Sequence, residues 1–432
     1  MDAVNHPRAG GPDLRVSVLL PTFDRADYLG EAIASVLAQT HAPHEVIVID
    51  DGSTAETAGV CAAFGDAIRY LRNDENRGKS AAINRGLEAA TGAFIWVMDD
   101  DDLAPPEALA TLIAPMARAP HVGFTFGRLL KFSDTSDGRR LFTAGQEPPA
   151  DLRPLFVRLM EDCFITGQPC VLYRRGCLDD IGRIDETVLA SVDYNILLQI
   201  ARRHEAVDVG KVVLWQRQHL GARGPARLRY DFQAREGLWK AFDQRLLAAL
   251  LPGVAPRELV GRKSGRKLSA DEQRRALFQR AVIAGRKDLW EMAVESLSAA
   301  MAGFEARELA DGDRFILQRM LGSRYGVDAL LGDRAVQRRL KDACGPDPLG
   351  AQLRLEIASH LPFWIGTALR QGRFERAWLG AVALHEIAGG RGCLRLVCRI
   401  VAKRLRLGKR LAAAMDLAPI LHRHKPAAVV DA

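Results

Sequence analysis

Carboxylates gather at two places in the first hundred residues, and each place directly follows a short run of apolar residues. Asp50 and Asp51 follow the run VIVI, and the consecutive aspartates from Asp99 to Asp102 follow FIWVM. Bare carboxylates so close together at low dielectric would repel one another by several kcal/mol, so solvation or a cation must neutralise them. Mg²⁺ and Mn²⁺ prefer hard oxygen ligands, and Mg²⁺ commonly completes its coordination shell with substrate phosphates and water. The second cluster therefore predicts a site for a divalent cation and a nucleotide diphosphate.

The same cluster has a structural interpretation. Carboxylates favour helix N-termini, and in DDDDLAPPEAL the residue Asp102 would cap a helix that begins near Pro106. Isolated acidic runs are also common on solvated surfaces. The pattern alone leaves these alternatives open, but the position of the cluster at a predicted strand end, near a second acidic pair, favours the metal site.

Predicted strands alternate with predicted helices around these carboxylates. The strands are short apolar runs, and the helices show apolar residues at helical spacing. The predicted strands cover 16–20, 45–50, 68–72 and 94–98, and the predicted helices cover 28–39, 54–64 and 80–90. This alternation predicts an α/β fold with a mainly parallel, doubly wound sheet, in which ligands bind beyond the carboxyl ends of the strands. Both acidic clusters lie at such ends.

The chain changes character after Arg229. The strand patterns fade, and Ala, Leu and Arg recur with helical periodicity, which predicts an all-α second domain. We therefore expect a disordered tail over 1–14, an α/β domain over 15–230 and a helical domain over 231–432. No apolar stretch is long enough to span a membrane, and the N-terminus lacks the pattern of a signal peptide. These features predict a cytoplasmic protein.

A basic amphipathic pattern lies near the C-terminus. Arginine and lysine recur every three or four positions from Arg391 to Arg410, and another face carries Leu394, Val397, Val401 and Leu405. This pattern predicts a helix that rests on an anionic membrane surface, at the inner face of the cell membrane. In the alternative interpretation the apolar stripe packs on the helix's own domain. Nucleic-acid binding is not expected, because no aromatic residues interleave with the basic ones.

Two segments of the first domain resemble glycosyltransferase family 2. They are VSVLLPTFDRADYLGEAIASVLAQTHAPHEVIVIDDGST and NRGKSAAINRGLEAATGAFIWVMDDDD. The features that match in order are the PTF turn with Asp24 and Arg25, the SVLAQT helix, the IDDGS strand end, the NRGKSAAINRG helix start and the strand that runs into an Asp-x-Asp motif. The resemblance implies the Rossmann-like GT-A fold and metal-dependent, inverting transfer of a sugar from a nucleotide-diphosphate donor, expected to be a UDP-sugar, to an acceptor hydroxyl. The absence of a Gln-x-x-Arg-Trp sequence argues against a processive synthase, and the implied setting is cell-surface polysaccharide or glycoconjugate synthesis.

The resemblance also implies roles for individual residues. Asp51 would accept a hydrogen bond from the N3–H of uracil, which would leave the N3 acceptor of cytosine unsatisfied at a cost of about 1 to 3 kcal/mol. Asp101 is the first choice as direct metal ligand, and His219 and Arg217 match positions that approach the metal or the phosphates. The implied donor-binding residues are Pro21, Thr22, Asp24, Arg25, Asp51, Lys79, Asp99 and Asp100, and the implied ligands of Mn²⁺ or Mg²⁺ are Asp99, Asp101 and His219.

Asp193, in GRIDETVLASVDYNILLQIAR, matches the position of the family's catalytic base. One base can suffice, because a metal ion stabilises the departing diphosphate and in-line attack inverts the anomeric centre. The sequence departs from the family pattern at Val192, where an acid usually precedes the base. If Asp193 only caps its helix, then Asp185 or Glu186 is the functional acid.

Two other functions stay open. A nucleotidyltransferase also places metal-binding acids at strand ends, although PTFDRADYLG does not supply its Gly-rich basic loop. A catalytically inactive GT-A-like module would bind its ligand without turnover. The expected partners are a nucleotide-sugar donor, a saccharide or lipid-linked acceptor and a membrane surface, and a homo-oligomer is left open.

Overall fold

The computed structural model of the chain describes most of its length. The described residues are 13–135, 137–149, 151–219, 226–228, 234–262, 265–302, 308–323, 325 and 327–404. Packing divides them into two compact units: the first contains 13–149 and 163–242, and the second contains Asp151–Asp162 together with 243–404. The predicted tail over 1–14 lies almost wholly outside the described residues, and the predicted domain boundaries stay predictions.

The first unit is built on an eight-stranded mixed sheet. Its strands are β1 (Val16–Thr22), β2 (Glu45–Asp50), β3 (Arg69–Arg72), β4 (Phe94–Val97), β5 (Val122–Asp134), β6 (Arg140–Ala144), β7 (Val171–Arg174) and β8 (Glu205–Arg217). The strand order is β3-β2-β1-β4-β7-β5-β6, and β8 pairs with β5. The pairings give six strands one direction, and only β6 and β7 run the other way. The predicted mainly parallel sheet is confirmed.

Three of the four predicted strands, β1, β2 and β4, are buried almost throughout, whereas β3 is partly exposed. In the central strand β1, Leu19 pairs with Ile47 of β2 on one side and with Val97 of β4 on the other. Every residue of β1 and of β4 is buried, as expected of parallel strands covered on both faces. The parallel direction brings the carboxyl ends of β1, β2, β4, β5 and β8 to one edge of the sheet.

Six helices accompany the sheet in the described part of the first unit. They are α1 (Ala26–Leu37), α2 (Ala55–Ala62), α3 (Lys79–Ala89), α4 (Ala108–Arg118), α6 (Arg175–Ile181) and α7 (Val192–Ala201). In α1 the buried residues Leu29, Ala32, Ile33 and Val36 recur at the spacing of one helix face. The helices predicted over 28–39, 54–64 and 80–90 are therefore confirmed as α1, α2 and α3, with ends that differ by one or two residues.

The second unit is helical throughout its described residues, which confirms the predicted helical region. Its helices are α5 (Leu155–Glu161), α9 (Pro256–Leu259), α10 (Ala270–Arg286), α11 (Trp290–Met301), α12 (Asp311–Leu317), α13 (Asp328–Gly332), α14 (Arg334–Cys344), α15 (Pro348–Ile357), α16 (Leu361–Arg370) and α17 (Phe374–Arg404), and the unit boundary falls inside α8 (Arg235–Leu250). In α17 the helical geometry breaks at Gly389, whose φ is 70°. No described helix combines the length and apolar character needed to cross a bilayer.

Helix α5 belongs to the second unit although it lies between strands of the first in sequence. Its last residue, Glu161, is buried and accepts hydrogen bonds from Arg153, from Gln279 Nε2 at 2.7 Å and from Arg319 Nε at 2.6 Å. Burial alone would raise the pKa of Glu161, but the hydrogen bond from Arg153 and the charges of the surrounding arginines lower it to about 2. This network fastens α5 to the helices around it.

Candidate functional site

The acidic loop 99–102 follows β4 directly and is held in place by the end of β8. The backbone N–H of Arg217 donates to Asp102 Oδ1 at 2.8 Å, and Arg217 Nε donates to the carbonyl oxygen of Asp101 at 3.1 Å. Leu103 and Trp215 exchange backbone hydrogen bonds at 3.0 and 2.8 Å. Helix α4 begins only at Ala108, so the alternative in which Asp102 merely caps that helix is wrong.

Asp101 and His219 meet at the centre of this edge. Asp101 Oδ2 lies 2.9 Å from His219 Nε2, and both atoms contact Nη1 of Arg25, which is 3.1 Å from the imidazole nitrogen. The His219 ring lies 5.2 Å from that of Tyr28. The predicted metal ligands Asp101 and His219 are therefore neighbours, although 118 positions separate them in the chain.

Lys79 joins the third predicted metal ligand to the site. Lys79 opens α3, directly after Gly78 with its positive φ of 96°, and its ammonium forms an ion pair with Asp99 Oδ1. Burial alone would lower the pKa of Lys79, but the negative charges of Asp99 and Asp193 raise it. The charges of both carboxylates therefore act on the same ammonium.

Asp193 is the second residue of α7, after Ser191, whose φ of 56° turns the chain into the helix. Its Oδ1 accepts a hydrogen bond from the Tyr194 N–H at 2.9 Å, so a helix-terminal contact accompanies its approach to Lys79. Asp185 accepts hydrogen bonds from Thr187 in its own segment, whereas Glu186 pairs with Arg183 and with Arg77 of the loop after β3. The role of Asp193 as base stays a prediction.

Asp51 organises the loop between β3 and α3. Its buried carboxylate accepts hydrogen bonds from Asn73 Nδ2 at 2.7 Å, from the Gly78 N–H at 2.6 Å and from the Arg77 N–H at 3.1 Å. A carboxylate offers about four lone-pair positions, and these donors already use most of them. Contact between Asp51 and a uracil edge stays a prediction. The sequence did not predict that this carboxylate would bind the loop between β3 and α3.

The remaining predicted donor-binding residues lie at the ends of β1 and β4. Pro21 and Thr22 are buried in β1, and Asp24 adopts the left-handed conformation with φ of 50°. The Asp24 N–H donates to Ser53 Oγ at 2.9 Å, and its Oδ1 accepts from the Thr54 N–H at 3.0 Å, which ties the β1 loop to the β2 loop. Burial and the charge of Asp101 raise the pKa of Asp100 to about 7, while Arg25 and the Thr22 hydroxyl oppose that rise.

A cavity of about 580 Å³ opens beside the Asp51 loop, a size suited to a small-molecule ligand. Its lining residues come from the loop after β3 and from the GRIDETVL segment: Glu75, Asn76, Arg77, Glu186, Thr187 and Leu189. The Arg77–Glu186 ion pair joins its two sides at 2.8 Å. The cavity thus lies among the segments that carry the resemblance described above.

A comparison with protein families assigns the part of the chain that builds this edge. Residues 17–182 match the model described as Glycosyl transferase family 2. These residues belong to glycosyl transferase family 2. The glycosyltransferase domain therefore contains the acidic loop, Asp51 and Lys79, whereas Asp193, Arg217 and His219 lie beyond the matched residues.

Relatives that match this part of the chain are named as glycosyltransferases or, in one case, as a glucuronosyltransferase. The chain is 26% identical over 240 residues to an uncharacterized glycosyltransferase of Rickettsia bellii, covering 54% of this chain and 34% of that one. It is 38% identical over 104 residues to the glucosyl-dolichyl phosphate glucuronosyltransferase of Haloferax volcanii, covering 23% and 33%. The chain therefore spans about a third of the length of these two relatives. Among solved structures, S. aureus TarS in complex with UDP-GlcNAc is similar with 17% identity and a TM-score of 0.43, covering 84% of this chain and 89% of that chain.

The oxygen and nitrogen atoms at this edge of the sheet suit a hard divalent cation in part. Adjacent ligands of an octahedral ion at about 2.1 Å lie about 3 Å apart, which matches the separation of Asp101 Oδ2 and His219 Nε2. Asp99 is held by Lys79 instead, and within the described ranges no three His, Cys, Asp or Glu side chains surround a common point. The pair of Asp101 and His219 fits a metal ion, and the third ligand stays a prediction.

Arg217 shows what sequence reasoning missed at this edge of the sheet. Its guanidinium pairs with Asp134 and with Glu31 Oε2 at 3.1 Å, and it lies 4.9 Å and 4.7 Å from the ring centroids of Tyr28 and Phe132. This side chain therefore joins β8, β5 and α1, and its approach to the metal or the phosphates stays a prediction. The position of Arg217 at a strand end was visible in the sequence, but its partners are too remote in sequence to be predicted.

Proposed function

We propose that the protein transfers a sugar from a UDP-sugar to an acceptor hydroxyl, with inversion, metal dependence and release after each transfer. The observation that carries the proposal is the convergence of Asp101, His219, Lys79 and Asp193 near the carboxyl edge of the sheet. Carboxylates and an imidazole supply ligands for a cation, and an ammonium next to them supplies a partner for phosphate. A sugar linked to a diphosphate can be bound by both, because each supplies positive charge to phosphate oxygens.

In the proposed reaction, Asp193 accepts the proton of the acceptor hydroxyl while that oxygen attacks the anomeric carbon. Lys79 lies close enough to feel the charges of both Asp193 and Asp99, so it is placed to contact the diphosphate between them. Asp101 and His219 would hold Mn²⁺ or Mg²⁺, which supplies positive charge to the departing diphosphate. No second carboxylic acid is needed, because the leaving group departs as an anion.

The test of this function is a donor screen by UDP release, using the full chain with Mn²⁺ and candidate acceptors. Asp193→Asn is expected to retain UDP binding in calorimetry and to lose turnover by about a thousandfold, the typical contribution of a positioned base. Asp185→Asn is the matched control, since its carboxylate binds only Thr187 in the same segment. Normal turnover by Asp193→Asn would disprove the base, and UDP binding without turnover of any donor would favour an inactive binding module.

We also propose a saccharide or lipid-linked acceptor, with contact between α17 and an anionic membrane surface. Leu394 and Val397 are 65% and 51% exposed, so these two members of the apolar stripe do not pack on the described part of their own unit. Arg391 and Arg395 are exposed in the same segment, and basic residues beside apolar ones attract anionic lipid. The name of the Haloferax relative, which includes a dolichyl phosphate, supports a lipid-linked acceptor. The side chains from residue 399 onward, including Val401, Leu405 and Arg410, lie outside the described residues.

The membrane proposal is tested by flotation of the protein with vesicles. Binding to vesicles that contain phosphatidylglycerol, with little binding to neutral phosphatidylcholine vesicles, is expected. Leu394→Ser combined with Val397→Ser should weaken that binding, because both side chains would otherwise enter the interface. Equal binding by this variant and the unchanged protein would exclude α17 as the contact.

A further inference from the structure

Arg25 lies against the two atoms that are predicted to bind a metal ion. Its Nη1 contacts Asp101 Oδ2 and lies 3.1 Å from His219 Nε2, while those two atoms are themselves 2.9 Å apart. An ion that used the same two ligand atoms would lie about 2.1 Å from each of them. On the side of the pair that Arg25 occupies, such an ion would overlap Nη1, so the guanidinium must move before an ion can bind there.

Hydrogen bonds fix the backbone around Arg25, so release of its guanidinium from Asp101 involves the side chain alone. The backbone carbonyl of Arg25 accepts hydrogen bonds from the N–H groups of Tyr28 and Leu29 at 3.1 and 3.0 Å, at the start of α1. The preceding residue, Asp24, is bound to Ser53 and Thr54 of the β2 loop. The side chain is only 13% exposed, yet it is long and flexible, so it can leave Asp101 without moving the loop.

Arg25 also balances part of the negative charge of the acidic loop. Its guanidinium pairs with Asp101, and the ammonium of Lys79 pairs with Asp99. An arginine side chain stays protonated in proteins, so this positive charge is permanent. A buried carboxylate without a counter-charge would be costly, and Arg25 provides that charge until another cation arrives.

We propose that Arg25 is a built-in counter-cation of Asp101 and His219, which a divalent ion must displace before it can bind there. The inference rests on the proposed metal dependence and deepens it. The displaced guanidinium stays at the end of β1, where the donor diphosphate is proposed to bind, so its positive charge then contributes to holding the donor. Arg25 is thus a competitor of the metal before the donor binds and a partner of the donor afterwards.

This double role predicts changes of opposite sign when Arg25 is replaced. Arg25→Met should bind Mn²⁺ alone about tenfold more tightly than the unchanged protein, because the binding-competent state no longer has to displace a side chain. The same variant should bind UDP more weakly, both without metal and with saturating Mn²⁺. A residue that merely supported the fold would weaken both ligands together.

The experiment is titration of the full chain with Mn²⁺ in the absence of donor, followed by electron paramagnetic resonance, with calorimetry of UDP binding in parallel. Arg128→Met is the matched control, because the side chain of Arg128 is 17% exposed, close to the 13% of Arg25, but pairs with Asp208 and Glu147 instead of Asp101. Arg25→Gln serves as a second variant if Arg25→Met does not fold. Arg128→Met should leave Mn²⁺ affinity unchanged.

The outcomes separate this inference from the proposed function. Tighter Mn²⁺ binding by Arg25→Met or Arg25→Gln supports the counter-cation role, even if no donor is turned over. Unchanged or weaker Mn²⁺ binding by both variants overturns it, even if the unchanged protein proves to be an active transferase. If the unchanged protein binds UDP equally well with Mn²⁺ and with chelator, the metal dependence of the proposed function fails, whereas the Mn²⁺ titration still reports on Arg25.

Discussion

Buried carboxylates occur in both units, but their surroundings differ. In the second unit, Glu161 is matched by Arg153 and Arg319, Asp313 by Arg274 and Arg275, and Glu356 by Arg314 and Gln318. In the first unit, the acidic loop 99–102 places four aspartates next to one another, and burial together with the charge of Asp101 raises the pKa of Asp100 to about 7. We expect the paired carboxylates of the second unit to stabilise its fold and the adjacent carboxylates of the first unit to bind a further cation.

The largest expected effect is a loss of stability when a buried carboxylate of the second unit is removed. Glu161→Ala leaves Arg153 and Arg319 without their shared carboxylate, and loss of one partner of a buried ion network typically costs about 3 to 5 kcal/mol. Urea unfolding followed by circular dichroism should show the loss as an earlier transition. A change of well under 1 kcal/mol would mean that this carboxylate is not essential to the packing of α5.

A smaller effect is expected at the acidic loop, and it should appear in ligand binding instead of stability. Asp101→Asn removes the charge shared by Arg25 and His219, so Mn²⁺ should no longer strengthen UDP binding, and turnover should fall about a hundredfold. The melting temperature should fall less than in Glu161→Ala, since asparagine keeps an oxygen that can accept hydrogen bonds from Arg25 and His219. Asp66→Asn, at an exposed position of the same unit, is the control. A loss of stability in Asp101→Asn as large as that in Glu161→Ala would mean that the acidic loop stabilises the fold as the paired carboxylates of the second unit do.

Arg217 lies in the first unit, but it resembles the paired arginines of the second unit, because its guanidinium already binds Asp134 and Glu31. Arg217→Met should weaken Mn²⁺ binding about tenfold, since its hydrogen bond to the Asp101 carbonyl positions the loop. Arg217→Lys should not restore binding, because one ammonium cannot reproduce the fork that joins Asp134 and Glu31. Restoration by lysine, measured in the same titration, would show that only the charge of Arg217 matters.

The smallest effect is expected for an exposed ion pair. Glu291 and Arg339 pair on the surface of the second unit, with side chains 71% and 46% exposed. Glu291→Ala should leave the urea transition unchanged, because solvent already screens this pair. This variant is also the matched control for Glu161→Ala. A shift comparable to that of Glu161→Ala would imply that pairing in this unit matters irrespective of burial.

The sequence by itself determined the strands that carry the acidic clusters and the helices between them. VSVLL, EVIVID and FIWVM are local patterns, and each becomes a buried strand whatever lies elsewhere in the chain. The ordered motifs PTFD, IDDGS and NRGKS likewise identified the glycosyltransferase domain, later matched over 17–182. These features depend on residues close together in sequence.

Only the tertiary structure decided which distant residues complete the site. Asp101 meets His219 across 118 positions, Arg217 pairs with Glu31 and Asp134, and Arg25 contacts both Asp101 and His219. The same holds for α5, which leaves the first unit in the middle of its sequence to join the second. Periodicity reports which face of an element is buried, but not which remote element covers it, because that choice depends on packing and charge balance over the whole unit.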